Sequence, residues 1–98
     1  MTIEEARKDG ARKLDLYDLK LSTLPEAIGQ LTQLQTLDLS GNQLSALPET
    51  VQRLERLEKL FLHGNPGLGL PDEVLGPTNE EVYGSKKRSP KPPREILD

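Results

Sequence analysis

The sequence predicts an α/β solenoid: a short array of about three stacked repeats, with parallel strands on a concave side and short helices on a convex side. A leucine pattern returns with a period of 23 residues, which makes Leu14, Leu37 and Leu60 equivalent. Leucines alternate in each repeat, which is typical of a short strand with one buried face. Later in each repeat, proline precedes an acidic residue, which is a helix-start signal.

The composition agrees with a stack of leucines. The chain has 98 residues, enough for one small domain, and 19 of them are leucine, whereas aromatic residues make up 3%. A globular core of this size would normally use more aromatic and β-branched side chains. A solenoid needs fewer of them, because each repeat packs only against its neighbours.

The charge distribution is uneven. Five basic residues lie between positions 86 and 94, and the rest of the chain has 8 basic against 16 acidic side chains. Phosphate would repel an acidic array, so we expect no nucleic-acid partner.

The chain has no cysteine, which excludes disulfides and cysteine-based metal sites and favours an intracellular location. Its first residues are charged and do not form a secretory signal, and no apolar run reaches the ~20 residues of a membrane span. We therefore expect a cytoplasmic protein with no membrane partner and no cofactor.

Residues 1–10 predict an N-terminal capping helix. Thr2 and Glu5 have the spacing of a capping box, and Gly10 suits the helix end. Ile3 and Ala6 lie on one face, which could cover the first repeat, since repeat arrays need such caps. The alternative is a helix that binds a membrane or a partner.

The repeats are predicted at residues 11–33, 34–56 and 57–77. Strands are expected around Leu14–Leu16, Leu37–Leu39 and Leu60–Leu62, pairing in parallel. Each helix is expected to have proline at its first position, which applies to Pro25, Pro48 and Pro71.

Asn42 and Asn65 occupy equivalent places after the strands. An inward asparagine among leucines needs backbone partners, because a buried amide without them costs ~1–3 kcal/mol. We expect both to bond to backbone groups of the turns. The first repeat has Leu19 there instead, which predicts a turn sealed by apolar packing. In the third repeat Gly67 replaces the expected leucine, and Leu68 is expected to compensate.

Residues beside the strand leucines should point outward and form the concave face. An exposed Tyr17 and Phe61 beside charges would suit a protein-binding surface, although a cap or tail could instead cover both rings. The predicted partner-binding residues are Lys13, Asp15, Tyr17, Thr36, Asp38, Ser40, Lys59, Phe61 and His63.

Catalytic or ligand-binding chemistry has little support in the sequence. Ser40 and His63 could approach on neighbouring strands, but nothing supplies an oxyanion hole. The glycines at 64–69 do not match a phosphate loop. Asp15 and Asp38 lack a third ligand for a metal ion. We expect no enzyme activity.

Residues 78–84 are expected to cap the last repeat through Val82 and Tyr83, and residues 85–98 to form a basic, proline-rich linker or mobile tail. Its P-x-x-P run and its basic cluster would also suit an SH3-type ligand or a nuclear-import signal. The last four residues look like the start of a helix. We therefore expect a piece of a longer protein or a shortened relative of one.

The motif Leu-Pro-Glu-x-Ile/Val-x-x-Leu-x-x-Leu-x-x-Leu-x-Leu-x-x-Asn-x-Leu resembles the 23-residue intracellular class of leucine-rich repeats. The run from Leu62 to Thr78, with Pro-Pro-Arg-Glu-Ile-Leu-Asp at the end, is similar to the end of the repeat array in bacterial Roco proteins. That resemblance implies a recognition or regulatory array attached to a GTPase, and no GTP-binding residue is present.

These observations predict a non-enzymatic module that binds a protein partner through its concave face. The competing hypothesis is a structural element that self-associates through an exposed repeat edge. Capped edges would favour a monomer over an edge-to-edge dimer. Asp38→Arg with Phe61→Ala should separate the two functions, because only concave binding needs those side chains.

Overall fold

A computed structural model describes residues 3–70, 75–76, 82 and 96 of the chain. One α-helix precedes three strands, and a short 3₁₀ helix (η) follows each strand. In chain order the elements are α1 (Ile3–Asp9), β1 (Lys13–Asp15), η1 (Glu26–Gln30), β2 (Thr36–Asp38), η2 (Glu49–Arg53), β3 (Lys59–Phe61) and η3 (Pro66–Leu68).

The three strands form one parallel sheet in the order β1-β2-β3. Leu14 pairs with Leu37, and Leu37 with Leu60, so the register repeats every 23 residues. Each strand begins one residue before the expected leucine. The sheet hydrogen bonds continue into the turns, where the Asp18 amide donates to Ser40 O at 3.0 Å.

The core is a stack of aliphatic side chains between the sheet and the 3₁₀ helices. Its members occupy equivalent places in successive repeats, because a strand leucine always faces the same side. Leu68 packs partly against this stack, as expected of a substitute for the residue missing at Gly67. The buried core includes Leu14, Leu16, Leu24, Ile28, Leu31, Leu34, Leu37, Leu39, Leu44, Val51, Leu54, Leu57, Leu60 and Leu62.

The convex elements η1 and η2 are 3₁₀ helices that start one residue later than predicted. Pro25 and Pro48 are extended N-cap residues with ψ of 147°, so the acidic residue that follows each is the first helical one. The two helices pack closely: Thr50 Oγ1 donates to Glu26 O at 2.8 Å. A Cβ at Gly29 would lie 2.6 Å from the Thr50 Cβ, so only glycine permits this approach.

The helix α1 lies where the sequence predicts one. Gly10, at φ +61°, follows its last residue, and the Ala11 amide donates to Ala6 O at 3.0 Å. Ala6 is buried with the leucines. Thr2, half of the predicted capping box, lies outside the described residues, and the role of α1 as a cap stays a prediction.

The predictions for the C-terminal region fall mostly outside the described residues. This applies to the helix start at Pro71, to the cap at 78–84 except for Val82, and to the tail at 85–98 except for Ile96. Val82 is half-buried and helical. Leu75 and Ile96 are buried members of the hydrophobic core, a position that the sequence did not predict for Ile96.

Two buried asparagines tie the turns to the strands. Asn42 Oδ1 accepts from the amides of Leu19 and Leu21, both at 3.0 Å, and its Nδ2 donates to Leu16 O and Leu39 O, both at 2.9 Å. Asn65 Nδ2 likewise donates to Leu39 O and to Leu62 O, while its Oδ1 accepts from the Leu44 amide. These bonds satisfy backbone groups that the turns leave without strand partners.

We expect Asn42→Ala to lower the free energy of unfolding by about 2–4 kcal/mol, because several buried backbone groups lose their partner at once. Asn65→Ala should cost less, about 1–2 kcal/mol, since its Oδ1 accepts one amide where that of Asn42 accepts two. Urea denaturation measures both. Equal losses, or no loss for Asn42→Ala, would contradict this account.

Candidate interaction surface

The nine predicted partner-binding residues differ in exposure along the sheet. On and just after β1, Lys13, Asp15 and Tyr17 are exposed, and the Tyr17 side chain keeps 59% of its surface open to solvent. On and after β3, Lys59 and His63 are half-buried. The other four are buried: Thr36, Asp38, Ser40 and Phe61.

The expectation that Phe61 is exposed is therefore wrong. Its ring is only 1% exposed, although it lies on the strand face opposite the leucines. The residues of β2 are enclosed because a strand lies on each side of them. The chain after β3 also returns to this side, since Gly76 O lies 2.8 Å from His63 Nε2. Asp38→Arg with Phe61→Ala would thus disturb folding and cannot isolate partner contact.

The two concave carboxylates are engaged by their own chain. Asp15 pairs with Asp38 across the sheet, as the sequence predicts. Asp15 Oδ1 accepts from the Tyr17 amide at 3.0 Å, and Asp38 Oδ1 accepts from the Ser40 amide at 2.9 Å. Within the described part of the chain, no three His, Asp or Glu side chains are placed to hold a metal ion.

His63 interacts with backbone and not with a nucleophile. The Gly76 carbonyl can only accept a hydrogen bond, so His63 Nε2 is the donor. His63 Nδ1 is buried without a hydrogen-bond partner among the described residues. Ser40 lies one strand away, and its backbone amide donates to Asp38 Oδ1. This geometry positions the ring and does not activate a hydroxyl.

The turn after β1 presents apolar side chains to solvent. Tyr17 and Leu19 are the large exposed hydrophobic residues of the described chain, and Leu19 is 55% exposed. The expectation that Leu19 seals this turn by apolar packing is wrong. Its amide donates to Asn42 Oδ1, which fixes the backbone of the turn while the side chain faces outward.

The same turn has an unusual backbone. Asp18 at φ +54° and Lys20 at φ +58° lie in the left-handed region, and they are the described non-glycine residues that do so. The positions equivalent to Asp18 are Gly41 and Gly64, also at positive φ. A left-handed conformation costs a residue with a Cβ roughly 1–2 kcal/mol. Aspartate adopts this conformation more readily than most residues, so Lys20 is the more strained neighbour of Leu19.

Two cavities lie elsewhere on the described chain. One, of about 250 Å³, opens at the C-terminal edge of the leucine stack, where Leu62, Leu68, Leu70 and Leu75 line it with the turn at 64–66. The other, of about 650 Å³, is a polar depression on the convex side between η1 and η2. It is lined mainly by Glu26, Glu49, Glu55 and Arg53.

The part of the chain that forms the parallel strands, the leucine stack and the asparagine-linked turns also matches a known family. A family model described as a leucine-rich repeat region matches residues 11–78. The chain belongs to the leucine-rich repeat family. Such repeats are non-enzymatic modules that mediate protein–protein interaction. No curated protein matches the sequence. In the described residues of this repeat protein, no helix is long and apolar enough to cross a membrane.

Leu19 is the candidate surface residue that the sequence analysis missed. In the 23-residue repeat, position 19 is equivalent to Asn42 and Asn65, which suggested that the Leu19 side chain points inward. The available signal was its neighbourhood, because Asp18 replaces the glycine found before both asparagines. This turn lacks both the glycine and the asparagine amide, so nothing in it favours the inward side-chain orientation of the equivalent turns.

We expect Lys20→Gly to stabilise the protein by about 0.5–1 kcal/mol, because glycine adopts a positive φ without strain. Gln43→Gly, at the equivalent place 23 residues later, is the matched control. Gln43 does not have a positive φ, so this change should destabilise. Thermal unfolding measures both, and a lower midpoint for Lys20→Gly would show that the turn is not strained there.

Proposed function

We propose that this leucine-rich repeat chain binds a protein partner through the part of its concave face formed by Lys13, Asp15 and Tyr17. The observation that supports this most is the exposed ring of Tyr17 beside an exposed carboxylate. Binding hot spots are enriched in tyrosine, which offers a large contact area at small entropic cost. Family membership supports the protein class of the partner.

The proposal moves binding away from the centre of the sheet. Thr36, Asp38, Ser40 and Phe61 are covered, so they stabilise the array and need not touch a partner. Lys59 and His63 are half-buried, less exposed than Lys13, Asp15 and Tyr17 but more exposed than the covered residues. The proposed contact is small, and its affinity should depend on a few side chains.

The experiment is a screen of a protein-fragment library against the immobilised chain, followed by affinity measurement on each recovered fragment. Asp15→Arg with Tyr17→Ala should weaken binding at least about thirtyfold, as expected of a hot-spot residue. Glu55→Arg, an exposed charge change near η2, is the matched control. Fragments that bind all three proteins equally would contradict concave recognition.

A second candidate function is self-association through a repeat edge. The apolar cavity beside Leu68 and Leu70 favours it, since both leucines are only partly buried and a second copy could cover them. Light scattering over a hundredfold concentration range tests it on the same samples. A constant mass near 10.9 kDa excludes it. If the mass rises with concentration and Leu68→Lys restores the monomer value, self-association would replace concave binding as the proposed function.

The resemblance to bacterial Roco proteins supports a narrower hypothesis. We propose that the array is the recognition part of a protein that also has a GTPase domain. The similar residues are the run from Leu62 to Thr78 and the last seven residues, and half of these 24 positions lie outside the described structure. The coding sequence beyond codon 98 tests this hypothesis: a phosphate-loop motif G-x-x-x-x-G-K-[ST] should follow, and a stop codon there would contradict it.

A further inference from the structure

We propose that the turn after β1 binds a short, extended protein segment in which an apolar side chain lies next to a lysine or arginine. We define the turn patch as Tyr17 and Leu19 with the flanking carboxylates of Asp15 and Asp18. The inference rests on the proposed function, and it adds a residue outside the strands, Leu19, and the chemistry of the partner.

The turn patch is held rigidly. The amides of Leu19 and Leu21 both donate to Asn42 Oδ1 at 3.0 Å, and the Asp18 amide donates to Ser40 O. The Tyr17 amide donates to Asp15 Oδ1. Exposed apolar side chains on a fixed backbone lose little entropy when a partner binds, so they contribute more of their contact energy to affinity.

The backbone strain points to the same place. Asp18 and Lys20 both have positive φ, and the side chain that this arrangement turns outward is a leucine. Backbone strain in proteins clusters at functional sites, where the surrounding structure holds it in place. A turn with glycine at 18 and asparagine at 19 would repeat the relaxed geometry of Gly41 and Asn42. The structure has instead an outward Leu19.

The size of the patch favours a short segment. Two apolar side chains form it, and the Tyr17 ring leans toward the next turn, where Tyr17 Cε2 lies 3.5 Å from the position of a Cβ built on Gly41. A standard interface between folded proteins has about 20–30 residues on each side. The patch is far smaller, so it suits one or two anchoring side chains of an extended segment.

The charges around Tyr17 favour a basic segment. Asp15 and Asp18 are both exposed and lie two residues and one residue from Tyr17, whereas the nearest lysines, Lys20 and Lys13, lie three and four residues away. A tyrosine ring also attracts cations through its face. A lysine or arginine of the partner can therefore contact the ring and a carboxylate together, while its apolar neighbour packs against Leu19.

The test is a phage-displayed library of random 12-residue peptides panned on the full chain, with selected peptides synthesised and titrated by fluorescence anisotropy. Selected peptides should combine an apolar residue with an adjacent lysine or arginine. Leu19→Ser should weaken binding at least about tenfold. Asp18→Asn should weaken it about two- to fivefold, and less at high salt. Asn tolerates positive φ, so this variant preserves the turn.

Two exposed positions away from the patch provide matched controls. Ala27→Ser in η1 and Asp9→Asn at the end of α1 should leave affinity unchanged. Circular dichroism should show unchanged thermal midpoints for Leu19→Ser, and Tyr17→Ala is the second variant if Leu19→Ser does not fold.

Several outcomes would overturn the inference. These are recovery of no peptide, recovery of acidic peptides, binding that Leu19→Ser leaves intact, and a Leu19→Ser variant whose only change is a lower molar mass, which would indicate a second copy as occupant. If Asp15→Arg with Tyr17→Ala weakens fragment binding while Leu19→Ser does not, the concave function stands and the turn patch fails. If neither variant weakens binding, both proposals fail.

Discussion

The hydrogen bonds of the two buried asparagines are the constraint on which the rest of this small array depends. The leucine stack supplies apolar burial, but burial has no direction and would not set the order of the turns. The asparagine amides do, because each joins the carbonyl at the end of its own strand to the carbonyl at the end of the preceding strand. Leu39 O accepts from both asparagines, so one strand end links all three turns.

This arrangement also explains why the exposed surface is at the first turn. Asn42 Oδ1 accepts hydrogen bonds from the amides of Leu19 and Leu21, so a residue of the next repeat fixes the conformation of the turn after β1. It needs no inward asparagine of its own. The side chain at position 19 is therefore released from the core and can serve a partner. In a leucine-rich repeat array, the side chain at this position can face solvent only in the first repeat, because no earlier turn needs its hydrogen bonds.

The sequence predicted the parts of the fold that have a period. The 23-residue spacing predicted the parallel register, and alternate leucines predicted the buried strand face. Side-chain exposure followed the pattern less well. Phe61 and Asp38 occupy outward positions, yet both are buried, because the 23-residue pattern predicts which way a side chain points but not how much of it neighbouring chain covers. The prediction for Leu19 was wrong for a different reason. The 23-residue pattern assumes that equivalent positions share a backbone conformation, but the positive φ angles of Asp18 and Lys20 change the conformation of this turn.

The close approach of Gly29 to Thr50 has a consequence for the shape that a partner meets. A solenoid bends when its outer side is wider than its strand side, so bulky outer helices produce a deep arc. Slender 3₁₀ helices that touch through a glycine keep the outer spacing small. The array should therefore bend little from one repeat to the next, and its concave strand side should be shallow. A shallow face three strands wide does not enclose a rounded protein, but a segment can lie along it.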